Sequence, residues 1–188
     1  MIFETIISTQ SPLGQVHIAP MGIREENGFV ILAPFRPSTT FDNVIASGCA
    51  VQNFCDDVRV FAGCVTGAKR DWPTLPATTI AAVRLRNTLG HSELKLERVD
   101  EDPQRPRLYC KRVHDEYHAP FRGFNRAQGA VIEGAVLISR LQMLAPEKIE
   151  QEWHYLTIAI EKTAGAIELE AWGWLEEKLS EHRKKIAP

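Results

Sequence analysis

The chain has 188 residues, 44% of them hydrophobic, and sets 22 basic against 24 acidic residues for a net charge of −2. This is enough apolar side chain for one or two domains with real cores, and it excludes the basic footprint of a nucleic-acid binder. No apolar run approaches bilayer length, and Met1-Ile2-Phe3-Glu4-Thr5 lacks the basic and apolar start of a signal peptide, so a soluble cytoplasmic protein is expected.

In chain order, Ile2 to Ser8 alternates loosely as a strand, and Ser11-Pro12-Leu13-Gly14 turns the chain into a second strand at Gln15 to Ala19. Asn27-Gly28 marks a turn into Phe29 to Ala33. Arg36-Pro37-Ser38-Thr39-Thr40 then leads into a short helix, about Thr40 to Ser47, that ends at Gly48. Thr39 and Asp42 stand in the spacing of a capping box. Cys49 to Phe54 reads as a strand, and Asp56-Asp57 as the cap of a helix over Val58 to Cys64. Ala81 to Arg86 and Glu93 to Val99 alternate cleanly and are expected to form a half-buried antiparallel pair, with one more strand at Leu108 to His114.

Near residue 120 the period changes. Asn125 can cap a helix with apolar positions at Ala127, Ala130, Val131, Ala135, Ile138 and Leu141. A second helix spans about Ala145 to Thr163, with Pro146 at its start. A third follows Gly165 and carries Trp172, Trp174, Leu175 and Leu179. About seven strands before the helices favour a small antiparallel barrel over a doubly wound sheet. The expected class is α+β, mainly antiparallel β: a split β-barrel domain over 1–120 and a C-terminal helical region over 121–188. Helices this few are expected to pack on the barrel or on a partner subunit.

The chemistry-bearing segments are few. Arg36 with Ser38, Thr39 and Thr40 at a helix start makes a candidate phosphate cradle, because the first turn presents unpaired N–H groups and the positive end of the dipole. Taken alone, hydroxyls at a helix start are usually simple caps. Pro20-Met21-Gly22, beside Arg24, could let the backbone approach a planar ligand, or could be a turn. Asn53 with Asp56 and Asp57 allows acid–base work or a helix cap. Lys69-Arg70-Asp71-Trp72-Pro73 could stack on a ring or hold a phosphate, but is more usually an exposed loop, and Arg126, Glu133 and Arg140 read first as a solvated or interface salt-bridge ladder and second as a ligand contact. The four cysteines form no C-x-x-C pair and are expected as free thiols. His114 and His118 would share a face on a helix, not on the strand expected there, and no metal site is expected. No G-x-G-x-x-G, P-loop or G-x-S-x-G motif occurs, so any hard chemistry would rest with a bound cofactor.

The order of these segments is that of a known fold family. The strand Val16-His17-Ile18-Ala19-Pro20-Met21-Gly22, the helix start Ser38-Thr39-Thr40-Phe41-Asp42-Asn43 and the strand Cys49-Ala50-Val51-Gln52-Asn53 resemble the FMN-binding split β-barrel of flavin reductase-like proteins. Asn125-Arg126-Ala127, Ala130-Val131-Ile132-Glu133 and Lys162-Thr163-Ala164-Gly165 extend the resemblance, over essentially the whole chain, to domain-of-unknown-function family 447. The resemblance implies a homodimer with FMN at the subunit interface. Arg36, Ser38, Thr39 and Thr40 would hold the phosphate. Pro20, Met21, Gly22 and Arg24 would line the isoalloxazine edge, and Asn43 and Asn53 would fix the ribityl chain or the local loop. It further implies an oxidoreductase, with a small-molecule electron donor or acceptor such as a nicotinamide or a pterin. An FMN carrier or electron-transfer protein, or a scaffold whose helices dock a partner, are the other readings. No residue marks a nicotinamide site.

Overall fold

Eight strands and five helices make up residues 1–186, which the structure, a computed structural model, describes. The residues sort into two compact units. One holds residues 1–55 and 72–121; the other holds 56–71 and the described residues from 122 onward.

The first unit is a closed antiparallel barrel. β1 (Ile2–Gln10) pairs with β2 (Val16–Glu26) and with β4 (Cys49–Phe54). β3 (Phe29–Leu32) lies between β2 and β8 (Arg107–Tyr117), and β7 (Gly90–Asp100) closes the ring between β8 and β4. Alternation along these strands turns Ile7, Ile23, Val30, Leu32, Ala50, Leu94, Leu108 and Cys110 into one interior core. Helix α1 (Thr39–Ser47) adds Phe41 and Val44 to that core. It stops at Gly48, whose φ of 70° is the left-handed conformation that glycine adopts without a Cβ clash.

The sequence reading pairs segment 81–86 with 93–99; the structure does not. β6 (Val83–Leu85) pairs with β5 (Thr74–Pro76) in a separate two-stranded sheet. Its backbone is occupied elsewhere: the Leu85 amide donates to Asn53 Oδ1 at 2.7 Å and the Arg86 amide to the Pro73 carbonyl at 2.8 Å. Similarly, Pro20-Met21-Gly22 is no turn. β2 runs straight through it to Glu26.

The second unit packs α3 (Arg126–Ile138), α4 (Pro146–Thr163) and α5 (Ala166–Ile186) together with α2 (Arg59–Thr66). Val58 and Ala62 join Ala127, Val131, Ile149, Trp172, Leu175 and Leu179 in a core of its own. The division at residue 120 therefore omits an excursion, since segment 56–71 folds with the helices. Asn125 caps α3 as expected, its Oδ1 accepting from the amides of Ala127 and Gln128. Asp57 Oδ1 accepts from the Arg59 amide at 3.1 Å and also holds the Arg59 side chain, which Glu170 grips from α5. The indoles of Trp153 and Trp172 stack with centroids 4.1 Å apart. Arg126, Glu133 and Arg140 are all exposed.

Candidate functional site

The start of α1 is one wall of the site. Ser38 is its N-cap: Oγ accepts from the Phe41 amide at 3.2 Å and the carbonyl from the Asp42 amide at 3.0 Å. The cap thus falls one residue before the Thr39–Asp42 box read from the sequence. With those two amides satisfied, the Thr39 and Thr40 N–H groups remain at the positive end of the helix, where anions bind.

The opposite wall is the edge of β2. Its ladder to β3 covers only Arg24 to Glu26, so Ala19 to Gly22 has no strand partner on that side. Pro20 suits such an edge, having no N–H to donate. Between the two walls lies a groove of about 460 Å³, lined by Ala19 to Gly22, Ala33 to Phe35, Pro37 to Thr40, His17 and Arg105. That volume lies within the range of small-molecule sites.

Six of the predicted residues meet here: Pro20, Met21, Gly22, Ser38, Thr39 and Thr40. Gly22 is glycine for a reason other than ligand approach. A Cβ there would come within 2.9 Å of Ile2 Cγ2 and 3.1 Å of Glu4 Oε1, side chains from the neighbouring strand.

The other four predicted residues do not line the groove. Arg24 is exposed on β2 where β3 begins to pair. Arg36 is committed elsewhere, its guanidinium 2.8 Å from Glu101 and stacked 4.3 Å over the Phe41 ring. Asn43 is buried and donates from Nδ2 to Thr9 Oγ1 at 3.0 Å, tying α1 to β1. Asn53 is fully buried; its Nδ2 donates to the Ile6 carbonyl, Ser8 Oγ and the Val51 carbonyl, while Oδ1 accepts from Leu85. It fixes the loop, with both Nδ2 hydrogens committed inside the barrel.

Arg105 is the residue that sequence reasoning missed. Its Nε donates to the Ala33 carbonyl at 3.1 Å and its guanidinium sits 4.6 Å over the Phe35 ring. Among the described residues it has no ion-pair partner, so its terminal N–H groups are available for an anion. Asp102 shapes this loop by accepting from the amides of Gln104 and Arg105 at 2.9 and 2.7 Å. Those amides, Arg105 first, hold the Asp102 carboxyl below its usual range. An Asp-Pro turn followed by two arginines was the available signal.

Two further cavities lack this chemistry. The barrel mouth, about 380 Å³, centres on Arg112, which already binds Glu25, Ser92 and Gln52. A groove of about 680 Å³ along Phe54, Leu89 and Tyr117 to Phe121 is mostly apolar and contains no helix end.

Comparison with known proteins agrees with this architecture. The chain belongs to the family described as protein of unknown function (DUF447), whose N-terminal domain model matches residues 3–119 and whose companion model matches residues 125–177. It is similar to an FMN-bound member of that family from Methanosarcina mazei, with 19% identity over 94% of each chain and a TM-score of 0.80. A flavoredoxin from Methanosarcina acetivorans shares 14% identity over 62% of this chain and 69% of its own, with a TM-score of 0.54. A 2-nitrobenzoate 2-nitroreductase from Pseudomonas fluorescens shares 20% over 61% and 64%, at 0.53. At these identities the likeness establishes the split-barrel fold. No curated protein matches the sequence significantly. No described helix is long and apolar enough to cross a membrane.

Proposed function

We propose that the chain is an FMN-binding flavoprotein of the flavin reductase-like class, working as an oxidoreductase in a homodimer. The observation that carries this reading is the groove itself, where two amides and a cation without partners among the described residues lie beside an open strand edge. The amides of Thr39 and Thr40 would bind the phosphate together with Arg105. The free backbone groups of Ala19 to Gly22 would hydrogen-bond the polar edge of a planar ring, and Met21 would pack under it from the barrel core. Phe35, two-thirds exposed beside the groove, would help to exclude water.

When bound, FMN supplies hydride chemistry that no side-chain triad in this chain provides. The protein's part is to bind the phosphate, orient the ring and leave one ring face open to a donor or acceptor such as a nicotinamide or a pterin. The Methanosarcina mazei relative was obtained with FMN, which supports the cofactor. The four free cysteines suit a reducing compartment, the cytoplasm.

The test is titration with FMN and with riboflavin, then anaerobic reduction by NADH and NADPH. FMN should bind at micromolar concentration or tighter. Arg105→Ala should weaken FMN about tenfold to a hundredfold, the worth of a charge-assisted hydrogen bond, and leave riboflavin nearly unchanged. Arg36→Ala should do much less. Reduction no faster than that of free FMN, with every donor, would favour a carrier over an enzyme.

A further inference from the structure

Three of the six histidines gather on one face of the β7–β8 hairpin. His91 lies opposite Glu116 and Glu93 opposite His114 in the strand register, and His118 follows two residues after Glu116. Residues two apart on a strand share a face, so His114 and Glu116 lie on one side of β8, and both His114 and His118, just past the strand end, come close to the His91 ring.

His91 and Glu93 are completely buried. The Glu93 carboxylate accepts from the amides of Thr78, Thr79 and Ile80 and from the Thr79 hydroxyl. Its Oε1 stands 3.3 Å from His91 Nε2. Two ligands about 2.1 Å from one ion at a tetrahedral angle lie about 3.4 Å apart. The ligand atoms of His91, Glu93 and His114 all lie within 4.8 Å of one another. His114 Nε2 is buried without a hydrogen-bond partner among the described residues, and Glu116 Oε2 is 3.7 Å from it.

We propose that His91, Glu93 and His114 bind one divalent transition-metal ion, with His118 as the outer partner of His91. Two imidazoles and a carboxylate suit zinc and its neighbours rather than calcium or magnesium, which take oxygen ligands. His91, Glu116 and His118 are also mutually close, but His91 Nδ1 and His118 Nε2 are already joined. They lie 3.0 Å apart, with the rings only 9° from parallel and their centroids 5.2 Å apart. That separation is the hydrogen bond plus one ring width, so the rings lie end to end and each nitrogen is used on the other. In the inner site the same contact anchors His91 from outside, as ligating histidines commonly are. This site is separate from the groove between β2 and α1, and it stands whether or not flavin binds.

The test is zinc titration of the full chain, treated with chelator and dialysed, in competition with a chromophoric chelator, followed by the zinc X-ray absorption spectrum. The expected result is one equivalent bound at micromolar affinity or tighter, with two imidazoles in the spectrum. His114→Ala and His114→Gln, checked for unchanged far-UV dichroism, should weaken zinc at least about a hundredfold. His118→Ala should weaken it about tenfold to a hundredfold, as loss of an outer partner does. The proposal is overturned if the wild-type chain takes up no stoichiometric zinc, or if a folded His114 variant binds as tightly as the parent. It is also overturned if His118→Ala abolishes binding while both His114 variants retain it.

Discussion

At the scale of single residues, a side chain's chemistry does not say where that chemistry is used. Arg36 sits beside the hydroxyls in sequence, yet Glu101, 65 positions away, claims it. Arg105, equally distant from α1 in sequence, comes to the groove because the 102–105 turn delivers it. The amide type of Asn53 was legible, but its hydrogen bonds to β1 and β6 depend on partners 32 to 47 positions away. These partners set a clear expectation. Asn53→Ala leaves the Leu85 amide and buried acceptors unpaired and should cost about 3 kcal/mol. The corresponding fall in Tm is about 6–12 °C, and FMN affinity per folded molecule should not change. A calorimetric scan and a flavin titration of the variant check both halves; weakened flavin binding at full stability would return Asn53 to the site.

Secondary-structure elements announced themselves where a local rule decides them. The cap at Asn125, the stop at Gly48 and the helical period of α3 are contained in a few neighbouring residues, and the structure has all three. Strand pairing is not local, which is why 81–86 and 93–99 alternate correctly yet take different partners. The contrast between two glycines of α3 tests the packing account. A Cβ on Gly134 would lie 3.0 Å from Trp172 Cζ3 and 3.2 Å from Leu175 Cδ1, whereas one on Gly129 would meet nothing within 4 Å. Gly134→Ala should therefore destabilise by about 1–3 kcal/mol through overpacking against α5. Gly129→Ala should stabilise by about 0.5–1 kcal/mol through helix propensity. Urea unfolding of both variants decides; equal effects would mean that α3 and α5 are not packed at Gly134 as described.

For the whole molecule, barrel closure converts scattered motifs into sites. The start of α1, the open edge of β2 and the 102–105 loop are far apart in the chain and meet only once β3 and β8 have paired. The order of motifs in the sequence was sufficient for the fold, and six of the ten residues it named line the groove. It was blind to the histidine face, which arises from cross-strand neighbours rather than from spacing along the chain, and to Arg105, which the 102–105 turn delivers to the groove. The helical unit likewise needed α2, 60 residues upstream of α3, to complete its core. The central claim, that the groove between β2 and α1 is the FMN site, is tested most directly by a crystal structure of this chain grown with FMN. The account predicts the phosphate on the amides of Thr39 and Thr40 and beside Arg105, the ring along Ala19 to Gly22, and a second copy closing the site. Flavin in the barrel mouth at Arg112, or along Tyr117 to Phe121 with its phosphate away from α1, would contradict it.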